Sequence, residues 1–206
     1  LQMTQDHLRK RIEDKLTSKE ILLISHVVIG YPNPTTAKDS VRSMAESGVD
    51  LIELQLPFSD PLADGPFLTK ANQDMVSAGI KLQDGFDFAN EVTTDYPDVD
   101  FLFMTYFNMV FHYGVDEFVK KTAELGVKGI IIPDLPVELA DDYISACRTH
   151  GVAPIFMFTP TTTSERMKTI NEQASGFIYC QARLGVTGSQ TKFNDDALAY
   201  IKQCRE

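Results

Sequence analysis

An α/β fold built on a parallel sheet follows from three observations in this chain. Six apolar runs of strand length alternate strictly with segments of helical pattern. Three helical segments end in a like phrase: Glu46-Ser-Gly-Val-Asp50, Glu124-Leu-Gly-Val-Lys128 and Thr149-His-Gly-Val-Ala153. Each puts glycine at the helix stop, where a left-handed conformation is cheap, and a β-branched residue at the next strand start. Third, the unusual stretches all follow strands: 57–66, 106–108, 133–136, 159–163 and 183–188. A doubly wound sheet and a closed barrel both fit this alternation, and in both the functional face lies at the strands' C-terminal ends.

Taken in order, Leu8, Ile12 and Leu16 recur at spacing four among charges, which predicts an amphipathic helix over residues 4–18. The first strand is expected over Ile21–Ile29, and Thr35 or Thr36 caps a helix reaching Glu46. Residues 49–56 form the second strand, halted by Pro57. Pro66 opens a helical segment to about Ala78, and a second runs from about Leu82 to Thr94. Strand three is expected over Phe101–Tyr106, with a helix over Val115–Leu125. Strand four spans Lys128–Pro133 and is followed by a helix over Val137–His150. Strand five covers Val152–Phe158, with a helix to Ala174 capped by Thr163 or Ser164. Strand six covers Gly176–Gln181, and Asn194 opens the last helix. Residues 1–206 thus read as one domain of six strand–helix units, with no linker or low-complexity segment between them.

Composition limits the function classes. Apolar content of 43% and charged content of 23% are those of a globular domain. A net charge of −10 argues against general binding to nucleic acid or anionic membranes, both of which need basic patches. Cys147, Cys180 and Cys204 are widely spaced and odd in number, so they form neither a disulfide framework nor a metal knuckle. They fit a reducing compartment, and the expected location is the cytoplasm. The longest apolar run, residues 21–30, is far short of a membrane span, and residues 1–15 are too charged for a signal peptide.

The second strand carries the chemistry. Alternation places Ile52, Leu54 and Leu56 on one face and Leu51, Glu53 and Gln55 on the other. A carboxylate in a buried strand is costly unless it is paired or used. Asp60 and Asp64 follow on the loop, and a strand acid with a loop acid can act as a general acid/base pair. The alternative makes Asp60 and Asp64 turn residues and pairs Glu53 with a lysine. A metal site would lack a histidine or a known ligand spacing. Tyr179, two positions after Phe177, is a core aromatic on pattern alone, and Asp134 between prolines reads as a loop-ordering acceptor. The loop at residues 183–188, with two glycines and Thr187, can offer backbone N–H groups to an anion. His26 sits late in the first strand and reads as a pocket wall. No dinucleotide fingerprint, P-loop or nucleophile elbow occurs.

The run Glu53-Leu-Gln-Leu-Pro-Phe-Ser-Asp-Pro-Leu-Ala-Asp-Gly-Pro66, with Met104-Thr-Tyr-Phe-Asn108, Ile132-Pro-Asp-Leu-Pro136, Ala153-Pro-Ile-Phe156 and Gly185-Val-Thr-Gly188, closely resembles the tryptophan synthase alpha subunit family. The resemblance runs from about residue 20 onward, with the motifs in the family's order. It implies a (β/α)8 TIM barrel that cleaves indole-3-glycerol phosphate to indole and glyceraldehyde 3-phosphate without an organic cofactor of its own. Glu53 then matches the catalytic proton shuttle and Asp64 the partner of the indole N–H. Tyr179 matches a tyrosine beside these acids, while Tyr106, Ile131 and Met157 fall where the family lines its indole pocket. Gly188 and Thr187 fall at the substrate phosphate. Asp60, Pro61 and Asn108 fall where the family meets its PLP-dependent beta subunit in an alpha2beta2 heterotetramer. Three departures stand out. Gln55 replaces a usual glycine, and His26 and Gly30-Tyr-Pro32 replace a usual apolar residue and Gly-Asp-Pro. Six units are present where such barrels need eight and about 250 residues, so strands seven and eight are expected to be missing. A second reading is a catalytically weak homologue that binds and activates a beta-type subunit.

Overall fold

Strand order decides between the two open architectures. In the computed structural model, which describes residues 7–181 and 195–205, five strands pair in parallel and strictly in chain order. They are β1 (Ile24–Val28), β2 (Leu51–Gln55), β3 (Asp100–Met104), β4 (Gly129–Ile131) and β5 (Ala153–Ile155). Parallel crossovers are right-handed, so an order that never reverses keeps every crossover helix on one face. A doubly wound sheet requires a reversal; this arrangement is the barrel's. Two further short strands, β6 (Met157–Phe158) and β7 (Tyr179–Cys180), continue in parallel as a separate pair.

The helices in chain order are α1 (His7–Leu16), α2 (Pro34–Glu46), α3 (Pro66–Ser77), α4 (Leu82–Asp95), α5 (Phe107–Tyr113), α6 (Val115–Glu124), α7 (Asp141–His150), α8 (Ser164–Gln173) and α9 (Asp195–Arg205). The expected alternation of faces holds. Ile52, Leu54 and Leu56 pack with Phe101, Phe103 and Ile130 in the layer between strands and helices. Leu51 faces the other way and joins Leu102, Met104, Ile131 and Ile155 in an inner cluster. The repeated helix stops take the expected form, with φ of +83° at Gly48, +75° at Gly126 and +71° at Gly151.

Several expectations need correction. The first strand begins at Ile24 instead of Ile21, leaving Ile21 and Leu23 exposed. The cap of α2 is Asn33, whose side chain accepts from the Thr36 N–H at 2.9 Å, with Pro34 in the first turn. Asn is a better cap than threonine, and Pro lacks only an N–H that would go unpaired there. Replacing Asn33 with Ala is expected to cost about 1 kcal/mol, read as a lower urea midpoint at unchanged slope. The third strand spans Asp100–Met104 instead of Phe101–Tyr106, and an unexpected helix, α5, begins at Phe107. Residues 137–150 divide into a 3-10 turn over Val137–Leu139 and α7. The fifth strand breaks at Phe156, and the sixth shrinks to two residues. The start expected for α1, residues 4–6, lies outside the described residues.

Helix α1 covers one end of the inner face. Leu8 is 1% exposed within the inner cluster. Asp100, at the start of β3 and fully buried, receives both Arg11 and Lys15 of this helix, the latter at 2.7 Å. Lys15 Nζ also donates to the carbonyls of Asp50 (2.9 Å) and Asp98 (3.0 Å).

Candidate active site

The parallel register sets His26 of β1 directly beside Glu53 of β2. Both project from the inner face toward the strands' C-terminal ends, and Gln55 lies one pleat further on. Glu53 is 6% exposed and its Oε2 lies 3.0 Å from His26 Nδ1. The expected alternative of a lysine partner is therefore wrong: a histidine fills that place. His26 Nε2 lies 2.8 Å from Gln55 Oε1, and Gln55 Nε2 donates to Asp64 Oδ2 at 2.6 Å. A single hydrogen-bonded chain, Glu53–His26–Gln55–Asp64, thus joins the two acids. Gln55 turns its amide nitrogen to Asp64 and its carbonyl oxygen to His26.

Asp64 is buried at the end of the turn after β2, its backbone N–H donating to Pro61 O at 3.1 Å. Tyr106 donates to Asp64 Oδ2 at 3.3 Å, and Asn72 of α3 donates to the same oxygen at 3.4 Å. All of these bonds fall on Oδ2. Burial pushes the Asp64 carboxyl above its ordinary value, partly offset by the Gln55 bond, the charge of His26 and the Tyr106 hydroxyl. Burial alone would lower the imidazole of His26. The hydrogen bond and charge of Glu53, with Gln55 and Asp64 in support, raise it above its ordinary value.

Of the other expected site residues, Ile131, Met157 and Tyr179 line a cavity of about 600 Å³ together with His26, Glu53 and Asp64. Tyr179 is half-buried, and burial together with the charge of Glu53 pushes its hydroxyl's pKa up. Tyr106 stands behind this wall. Its ring stacks on Phe58 at 5.1 Å, and its hydroxyl accepts from the Ala63 N–H, bracing the loop that carries Asp64. Asp60 is exposed and its carbonyl accepts from Leu62 N–H, so it is the turn residue of the pair. Pro61 is buried and Asn108 exposed. Asp134 orders the neighbouring loop by accepting from the Phe107 N–H at 2.9 Å, as expected. Thr187 and Gly188 lie outside the described residues.

Asn72 escaped the sequence reading. It is fully buried, its Oδ1 accepts from Phe58 N–H at 3.1 Å, and its amide reaches Asp64. The signal was a polar residue in the apolar stripe Leu68, Ala71, Asn72, Met75 of α3. Among the described residues, no three His, Cys, Asp or Glu side chains gather in a way that would hold a metal ion.

A buried carboxylate pair facing an apolar-walled cavity at the C-terminal ends of barrel strands defines an acid–base enzyme on a β/α barrel. The family model described as tryptophan synthase alpha chain matches residues 12–206. The chain belongs to that family, and it is a carbon–carbon lyase of tryptophan biosynthesis. It is 52% identical over 198 residues to the tryptophan synthase alpha chain of Syntrophotalea carbinolica, covering 96% of this chain and 78% of that one. The corresponding protein of Desulfotalea psychrophila is 44% identical, with the same coverage. In structure it is similar to Mycobacterium tuberculosis tryptophan synthase, with a TM-score of 0.88 at 29% identity over 97% of this chain and 76% of the other. It also resembles the tryptophan synthase complex of Pyrococcus furiosus, with a TM-score of 0.81 at 28% identity over 89% and 72%. Among the described residues, no helix is long and apolar enough to cross a membrane.

Proposed function

We propose that the chain's substrate is indole-3-glycerol phosphate, cleaved by retro-aldol chemistry with Glu53 and Asp64 carrying the reaction. The observation that supports this most is the placing of both carboxylates on one cavity whose wall includes Ile131 and Met157. An indole ring matches apolar walls, and its single polar atom needs an acceptor. Indole leaves badly as a carbanion, so its C3 must first gain a proton. Glu53 delivers that proton. The ring becomes an indoleninium cation, and Asp64 accepts the N–H that now carries positive charge. Glu53, ionised, then takes the proton of the glycerol hydroxyl as that oxygen becomes a carbonyl. The carbon–carbon bond breaks, and its electron pair returns to the ring to give indole. Asp64 suits its part because Oδ2 is held by Gln55, Tyr106 and Asn72, while among the described residues no hydrogen bond falls on Oδ1, the oxygen that would meet the substrate.

The phosphate would meet the backbone N–H of Gly188 with Thr187 beside it, as the family resemblance implies. The chain itself needs no organic cofactor for this chemistry. The indole passes to a PLP-dependent beta subunit within an alpha2beta2 heterotetramer. In support, Leu62, Phe111 and Leu139, each on a segment that follows a strand, are 83%, 68% and 74% exposed, beside exposed Asp60 and Asn108. Free Cys147, Cys180 and Cys204 support a cytoplasmic location.

The reading of a weak homologue that only activates its partner drew on Gln55 and His26. Both residues bond to the acids around the cavity. The test is indole release from indole-3-glycerol phosphate, with and without the beta subunit. Release that increases in the complex is the expected result. Activation of the beta subunit with no indole released would overturn it.

A further inference from the structure

We infer that His26 is a positioning residue of the lyase site, holding one shared proton with Glu53 across their hydrogen bond. The inference rests on the reading of Glu53 as proton shuttle and follows from counting donors along the chain. An ionised Asp64 only accepts, so the nitrogen of the Gln55 amide must face it, as the 2.6 Å contact has it. Gln55 Oε1 then faces His26 Nε2, and at 2.8 Å that nitrogen must carry a hydrogen. The neutral ring has only one N–H, so Nδ1 is left as a lone pair pointing at a carboxylate oxygen 3.0 Å away. Two acceptors do not face each other at that distance without a proton between them. Either Glu53 is protonated and donates to neutral Nδ1, or the imidazolium donates to ionised Glu53. In both forms the pair holds one proton beyond the Nε2 hydrogen.

The consequence for turnover is direct. When Glu53 gives its proton to C3, the pair is one proton short and the two lone pairs oppose each other. The hydroxyl proton of the glycerol chain restores it, so the cycle ends with the pair as it began. The groups that face the imidazole are Glu53 and Gln55 of β2 and Asp64 of the following loop, with Tyr179 of β7 beside Glu53. Burial lowers the imidazole's pKa, and the hydrogen bond and charge of Glu53, with Gln55 and Asp64, outweigh it and raise it above the ordinary value.

The test uses the complete alpha–beta assembly and the pH profile of kcat/KM for indole release. In the wild type, activity should persist on the basic side past the ordinary histidine value of about 6.5. In His26→Phe the basic limb should move to lower pH by about one unit or more, a shift that a purely structural defect would not cause. His26→Gln, whose amide nitrogen can take the place of Nε2 and donate to Gln55 Oε1 but carries no titratable proton, should show the same shift. An unchanged limb in both variants overturns the inference. Independently of catalysis, imidazole nitrogen NMR should show the ring titrating above about 6.5 in the wild type and lower in Glu53→Gln. An unmoved titration also overturns it. If Glu53→Gln still turns over, the reading of Glu53 fails. If Glu53→Gln is inactive and the His26 variants keep the wild-type profile, only the present inference fails.

Discussion

Glu53→Gln is expected to lower kcat for indole release by about 10²–10⁴-fold, the usual weight of a positioned general acid–base group. The fold should survive, because a glutamine amide can donate to neutral His26 Nδ1 where the carboxyl now bonds. KM should change far less than kcat, since the proton transfers occur in the transition state and not on binding. The variant's stability should depend on pH in a defined direction. His26 is raised in the folded state, so its pairing with Glu53 stabilises the protein below the unfolded value of about 6.5. That contribution fades as pH rises through the raised folded value. Chemical denaturation should therefore show Glu53→Gln destabilised relative to wild type at pH 5.5–6, and nearly level with it above the folded pKa. Near-normal turnover would remove Glu53 from the mechanism.

Removing the Asp100 carboxylate should have the largest effect on stability. Asp100→Ala is expected to cost about 3 kcal/mol, the lower end of the range for breaking a buried ion pair. The lower end applies because the side chains of Arg11 and Lys15 remain 38% and 21% exposed. Lys15 would keep only its carbonyl partners, and the helix over the inner face would lose its two charged ties. For a chain of this size the melting temperature should fall by roughly 6–12 °C. A loss under about 1 kcal/mol in urea unfolding would mean that α1 is held by Leu8 and its apolar neighbours alone.

Much of the architecture was legible because it rests on local signals. The three Gly-Val helix stops, the two-sided pattern of β2 and the alternation of segments all survive in the structure. What failed was set by tertiary pairing. β5 and β6 form one apolar run in sequence, and only the partners available to them divide it at Phe156. Helix α5 was missed because seven residues starting at an aromatic carry too little periodicity to be seen. In the site, Glu53 announced itself as a charge on a buried strand. His26 read as a pocket wall and Gln55 as sharing the face of Glu53, but the bonds between them were not legible, since adjacency of β1 and β2 is a fact of register and not of spacing. Asn72 lay on a helix face where sequence offers only an oddity.

The contact between His26 and Gln55 also constrains descent. Gln55 is fully buried, so a lineage that loses His26 alone strands an amide oxygen inside the protein, and one that loses Gln55 alone strands an imidazole nitrogen. Either single step leaves one polar atom without its partner. The two positions should therefore change together among relatives, with the histidine and the glutamine inherited as a pair or absent as a pair.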